Sequence, residues 1–219
     1  MDWLKKYKPK SIDELVGNNE LKQAVKYWLN NPDEMPHLLF AGKAGTGKTT
    51  TAYIIARSIL NGSFSMNFKE INASNYNNVD FVRTTIINYM RYSPLLHSNY
   101  KILLLDEADY LTTEAQATLR RPLEKYKDNC RVIMTANNSN KIIEPIRDRM
   151  AVFTFTRLSK KDIIAGLKRI AEAEGVVVDL EEIADKSDGS MRKAIITMQQ
   201  RVISGQNEIE KIITSYLGV

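Results

Sequence analysis

The chain holds a single cysteine, Cys130, among its 219 residues. One thiol cannot build a disulfide framework within the chain or a four-thiolate zinc site. A reducing, intracellular setting is therefore expected, cytoplasmic or, in a eukaryotic cell, nuclear. Long apolar runs are missing too. No stretch approaches the roughly 20 residues of a membrane-spanning helix, and no membrane partner is expected. The opening stretch MDWLKKYKPK has no apolar segment behind its charges and does not read as a signal peptide. Internal repeats and low-complexity tracts are absent as well. What is present is the composition of an ordinary globular protein, 43% hydrophobic and 26% charged, enough to bury a core. The length suits one large domain or two small ones. The net charge of +5 permits a polyanionic partner without requiring one. Four lysines stand against one aspartate in the first ten residues, and on charge alone they read as a solvated tail.

Strand-like and helix-like segments alternate over the first 155 or so residues. ELKQAVKYWL places Leu21, Ala24, Val25, Trp28 and Leu29 at helical spacing, with Asn18 or Asn19 as its cap. HLLFAG reads as a strand, GKTTTAYIIARSIL as a helix, FKEIN as a strand and VDFVRTTIINYMR as a helix. KILLLDEAD is an apolar strand that ends abruptly in acids. TTEAQATLRRPLEKY is a helix in which Pro122 should produce a kink or end the regular bonding. CRVIMTANN and AVFTF supply two further strands. This alternation predicts right-handed crossovers and a mostly parallel α/β sheet. After residue 157 only helices follow: SKKDIIAGLKRIAEAEG, capped by Ser159 and closed by Gly175, then LEEIADKSDG, SMRKAIITMQQRVIS and NEIEKIITSYLG. The expected division is an α/β domain over 1–157 and a small all-helical domain over 158–219.

The polar signals fall at the carboxyl ends of strands, where open α/β sheets bind ligands. GKAGTGKT, residues 42–49, matches the phosphate-loop pattern G-x-x-x-x-G-K-[ST] between a strand and a helix. Its glycines let backbone N–H groups approach phosphate oxygens, and the helix N-terminus adds the positive end of its dipole. Gly42, Lys43, Ala44, Gly45, Thr46, Gly47, Lys48, Thr49 and Thr50 are thus the expected cradle for ATP. Lys48 is expected to reach the β and γ phosphates, and the Thr49 hydroxyl to bind Mg²⁺. Asp106, at the end of a buried strand, is expected to hold the same metal, and Glu107 to polarise the attacking water. Asn137, at the end of the next strand, can orient that water through its amide.

With these residues in place, the chain resembles an AAA+ ATPase, and within that class the small subunit of archaeal and eukaryotic replication factor C, the sliding-clamp loader. The resemblance spans essentially the whole chain. It is carried by KYKP, ELVGN, PHLLFAGKAGTGKTT, INAS, LLLDEADYLTTEAQATLRRPLE, TANNSNKIIEPI and GSMRKAI. It implies a P-loop AAA+ parallel-sheet domain followed by a helical lid domain. It implies that Asn137 is a first sensor, and that Arg192 is a second sensor contacting the γ phosphate from the lid. Tyr7, Pro9, Val16 and Gly17 match the segment lining adenine and ribose. Arg149, in EPIRDRM, falls on the arginine finger that reaches a neighbouring subunit's ATP, although Asp148 and Met150 flank it where the family has serine and cysteine. Arg147 reads as a surface residue, and Asp148 as a possible partner for it.

The implied partners are the sliding clamp, a clamp-loader large subunit or further copies of the chain, and primer–template DNA. Arg83 is the leading candidate for a DNA phosphate contact; Lys43 is a weaker one. Arg120 and Arg121 match paired arginines that serve the subunit interface. An apolar group, Tyr89, Met90, Tyr92 and Leu95, lies in the region nearest the clamp. Family members also carry a C-terminal helical collar, which this sequence does not contain, so association of the isolated chain is expected to be weak or nucleotide-dependent. Two rival readings are another AAA+ DNA remodeller, such as a helicase loader or branch-migration motor, and a non-hydrolysing scaffold subunit of the loader.

Overall fold

The computed structural model describes residues 2–75, 77–96 and 98–217, with side chains described as far as residue 205. The chain divides into two compact units. One is Pro9–Thr156; the other joins Met1–Lys8 to Arg157–Val219.

The first unit is built on five strands: β1 His37–Gly42, β2 Phe68–Asn72, β3 Lys101–Asp106, β4 Cys130–Ala136 and β5 Met150–Phe155. Their order across the sheet is β2-β3-β4-β1-β5, with every pairing parallel. Parallel strands need crossovers that cover both faces, so their residues are apolar on both sides. In β3, Ile102 and Leu104 join one core cluster with Val25, Ile54 and Ile55, while Leu103 and Leu105 join the other with Val82, Ile86 and Leu119. All seven residues of β4 are buried.

The helix Asn19–Asn30 begins two residues before its apolar stripe, and Asn18 stands before it in a left-handed conformation without a side-chain cap bond. The expected Asn cap is therefore not made there. The segment 79–91 is helical throughout, as its spacing predicts, but widens into a π-helix over Val82–Ile87. Pro122 does not stop its helix, which runs from Thr113 to Lys125. The proline removes one N–H from the ladder, yet its ring is buried and Tyr126 N–H still closes onto its carbonyl at 3.0 Å. Packing outweighs the single lost bond.

At the amino-terminal edge of the sheet, His37 is buried. Val132 N–H donates to its Nδ1 at 2.9 Å, and its Nε2 donates to the Leu123 carbonyl at 2.8 Å. Burial pushes its pKa down to about 4.

The second unit is helical. Ser159 caps Lys160–Glu174 and Gly175 ends it at φ +65°, while Asp179 caps Leu180–Lys186. The last two helices read from the sequence are one continuous helix, Met191–Leu217. Ile163, Leu167, Ile170, Ile183, Ala194 and Met198 form its core, and Trp3 is packed among them. Tyr7 donates its hydroxyl to Glu174 Oε1 at 2.6 Å, and Lys6 Nζ lies 2.8 Å from the same oxygen. The first eight residues thus belong with the helices, not with the sheet domain to which sequence order assigns them. They are an anchored segment and not a solvated tail, because Trp3 has an apolar pocket to fill.

Candidate functional site

Because all five strands run the same way, the carboxyl ends of β1, β3 and β4 open on one edge of the sheet. The loop 42–47 leaves β1 there and enters the helix Lys48–Leu60. Gly42 is confined by its neighbour strand: with φ at +153°, a Cβ on it would lie 2.0 Å from the Phe155 carbonyl oxygen. Gly47 opens the helix at φ +98° and offers no side-chain cap. The first-turn N–H groups of a helix point out of its end and suit an anion. Thr46 is buried and donates to the Lys43 carbonyl at 2.8 Å, bracing the loop, whereas Lys43 and Ala44 are exposed and Gly45, Thr49 and Thr50 are half-buried.

Lys48 is only 8% exposed. Its ammonium donates to the Gly42 carbonyl at 2.6 Å, the Lys43 carbonyl at 3.0 Å and Asn137 Oδ1 at 3.3 Å. The loop lysine and Asn137, 89 positions apart, are therefore in contact. Thr49 donates its hydroxyl to Asp106 Oδ1 at 2.9 Å. Thr135, inside β4, donates to the same oxygen at 2.6 Å and accepts the Glu107 N–H at 2.9 Å. Glu107 holds the left-handed backbone conformation, φ 57° and ψ 41°, rare for a residue with a side chain.

A hydroxyl and a carboxylate from different elements, meeting at hydrogen-bond distance beside the glycine-rich loop, are the hard oxygen donors that Mg²⁺ prefers. The donor set fits that ion. Thr49 and Asp106 are the residues able to hold it. Among the described residues no His, Cys, Asp and Glu cluster forms a second metal site.

The structure brings Lys48, Thr49, Asp106, Glu107 and Asn137 together with the loop. Pro9, Val16 and Gly17 are half-buried in the same unit, while Tyr7 and the exposed Arg192 belong to the helical unit. In that unit the hydrogen bond to Glu174, together with burial, raises the pKa of the Tyr7 phenol. Arg83 is exposed on the π-helical turn, and Arg120 and Arg121 are exposed on their helix.

Arg149 is 27% exposed in its side chain and is paired with Glu124 Oε1 at 2.7 Å. It also donates to the Pro145 carbonyl at 2.5 Å. Of the apolar group placed near the clamp, Met90 is fully buried and Tyr89 is tied to the Asn67 carbonyl at 2.8 Å, because 79–91 turns that face to the core. Tyr92 and Leu95 are its exposed members, and Leu96, outside the group, is exposed beside them. A cavity of about 420 Å³, lined in part by Pro32, Leu60, Leu96 and Tyr100, holds none of the nucleotide-site residues.

Sequence reasoning missed Thr135 and Glu124. The only signal for Thr135 is a hydroxyl residue in the run CRVIMTA, where every other position but Arg131 is nonpolar and a buried hydroxyl needs a partner.

Parallel sheet, phosphate loop and acid pair define a nucleotide-binding ATPase-class protein. The model for the ATPase family associated with various cellular activities (AAA) matches residues 38–158. The replication factor C small subunit of Thermofilum pendens is 42% identical over 219 residues, covering 99% of this chain and 67% of the relative. That of Methanoculleus marisnigri is 44% identical over 204 residues, covering 92% and 63%, and that of Thermoplasma volcanium 43% over 213, covering 96% and 67%. The chain belongs to the AAA family and, within it, to the family of replication factor C small subunits. It spans about two thirds of the length of these relatives. The RuvB Holliday junction branch migration motor of Thermotoga maritima shares the fold, with a TM-score of 0.74 at 22% identity over 93% of this chain and 67% of that one.

Proposed function

We propose that the chain is the ATP-binding and hydrolysing part of a clamp-loader subunit, which uses ATP to grip a sliding clamp and primer–template DNA and hydrolyses it to release them. The observation that carries this reading is the contact network Lys48–Asn137 and Thr49–Asp106–Thr135–Glu107 at the mouth of the phosphate loop. Bound ATP with Mg²⁺ supplies the transferable phosphoryl group and neutralises its charge.

The chain's own residues do the rest. Backbone N–H groups of 42–49 cradle the phosphates, and Lys48 exchanges its carbonyl partners for phosphate oxygens. Thr49 and Asp106 hold the metal. Glu107 orients and polarises water, and Asn137 holds it in line. Arg192 is the lid's contact to the γ phosphate. Tyr7, Pro9, Val16 and Gly17 line the base and sugar. Arg149 acts on a neighbouring subunit's ATP, where a guanidinium fork stabilises charge on the transferring group. The neighbours are a large subunit or further copies of the chain. Arg83 is the DNA phosphate contact, and the exposed Tyr92, Leu95 and Leu96 suit an apolar contact with the clamp.

The deciding experiment is the ATPase rate with and without sliding clamp and primed DNA. Strong stimulation by both is expected. Turnover that ignores them points to another AAA+ remodeller, and none under any condition to a scaffold subunit. Arg149→Ala should lower hydrolysis by about 10³-fold in the assembled protein and leave nucleotide affinity of the isolated chain unchanged. An equal loss in both settings would remove the finger role.

A further inference from the structure

We infer that Thr135 is a positioning residue that ties the Asp106 carboxylate to the backbone of Glu107, so that the metal-holding and water-polarising acids are placed as one unit. The inference rests on the roles proposed above for those two acids.

Three observations converge on this hydroxyl. Thr135 is 1% exposed, in a strand buried along its whole length, so its oxygen must find protein partners. It finds two and uses both its capacities: it accepts from Glu107 N–H at 2.9 Å and donates to Asp106 Oδ1 at 2.6 Å. And Glu107 stands at φ 57°, a conformation that a residue with a side chain holds only where neighbours over-determine it. The Glu107 N–H bond is one such constraint.

The register explains why β4 can supply it. Leu105 is opposite Met134, so the next step sets Thr135 beside Asp106, where β3 ends. A β-branched side chain has few χ1 choices, which holds the hydroxyl on both partners. Asp106 Oδ1 then receives two hydroxyls, Thr49 from the nucleotide helix and Thr135 from the sheet. When Thr49 turns its oxygen to a metal, Thr135 still fixes the carboxylate. Thr135 acts through the two acids it bonds.

Thr135→Val keeps the shape and deletes the hydroxyl. With the purified chain, binding of a fluorescent ATP analogue should be unchanged in EDTA. The Mg²⁺ concentration for half-maximal enhancement of binding should rise about 10-fold, and any measurable turnover number should fall about 10- to 100-fold. The Mg²⁺ readout needs no neighbouring arginine. Thr135→Ser should restore both quantities to within about 3-fold, which a role in packing alone would not produce. Should valine impair folding, Thr135→Ala and Thr135→Ser give the same comparison. A wild-type Mg²⁺ dependence in Thr135→Val, or serine no better than alanine, overturns the inference. A wild-type chain that binds no Mg²⁺–nucleotide overturns the reading of the site itself.

Discussion

At Asp106 one carboxylate oxygen receives hydroxyls from two elements, and the neighbouring Glu107 is held by its backbone while its side chain stays half-buried. The water-polarising role proposed for Glu107 needs that freedom. Glu107→Gln should keep the backbone bond and nucleotide binding, and lower hydrolysis by at least about 10²-fold; single-turnover rates and nucleotide titration measure the two separately. Retained hydrolysis would remove Glu107 from the role. His37 offers a test far from the site. Its folded pKa of about 4 lies below the ordinary 6.5, so folding favours the neutral ring. That contribution is complete above about pH 6.5 and is lost as pH falls toward 4. It should cost about 2 kcal/mol between pH 7 and pH 5. Urea unfolding at the two values measures it, and His37→Gln should flatten the difference. Residue identity made the loop, the acids and Asn137 legible, because each stands at a motif position. Thr135 and Glu124 were not legible, because their roles come from partners 28 and 25 positions away.

At the scale of elements, the strands were the easiest reading: each is a short apolar run that a sheet covered on both faces demands. The helix 79–91 was legible as a helix, but not its π-helical turn, since apolar spacing does not record where one extra residue enters a turn. Pro122 was read by its local cost, which tertiary burial overrides. Gly42 belongs at this scale too, because its constraint is the pairing of β1 with β5. Gly42→Ala should push the Phe155 carbonyl away, lower stability by at least about 2 kcal/mol, and weaken nucleotide binding through the displaced loop. Chemical denaturation of the variant, with a nucleotide titration beside it, checks both. Wild-type stability would mean that the strand edge gives way more easily than its pairing suggests.

At the scale of the molecule, the boundary near residue 157 was legible because strands give way to helices there. The placement of Met1–Lys8 was not. Periodicity says that Trp3 is apolar, not which of two cores it joins. Trp3→Ala should cost about 3 kcal/mol or more and act on the helical unit: amide exchange should quicken in Lys160–Glu174 and stay unchanged in β1, β3 and β4. Equal acceleration in the strands would show the two units unfolding together.

That shared core also sets an order of events during synthesis. Trp3 leaves the ribosome 160 positions before Ile163 and further still before Met198. The nucleotide-binding sheet can close while those helices are unmade, since 9–156 form a compact unit of their own. Trp3 must wait, with its indole uncovered, until those helices are made. Along the sequence the sheet unit is an insertion within the helical one, so the chain passes between the two at 8–9 and again at 156–157. A single protease cut at either crossing would leave two pieces held together by the packing of Trp3 among the helices.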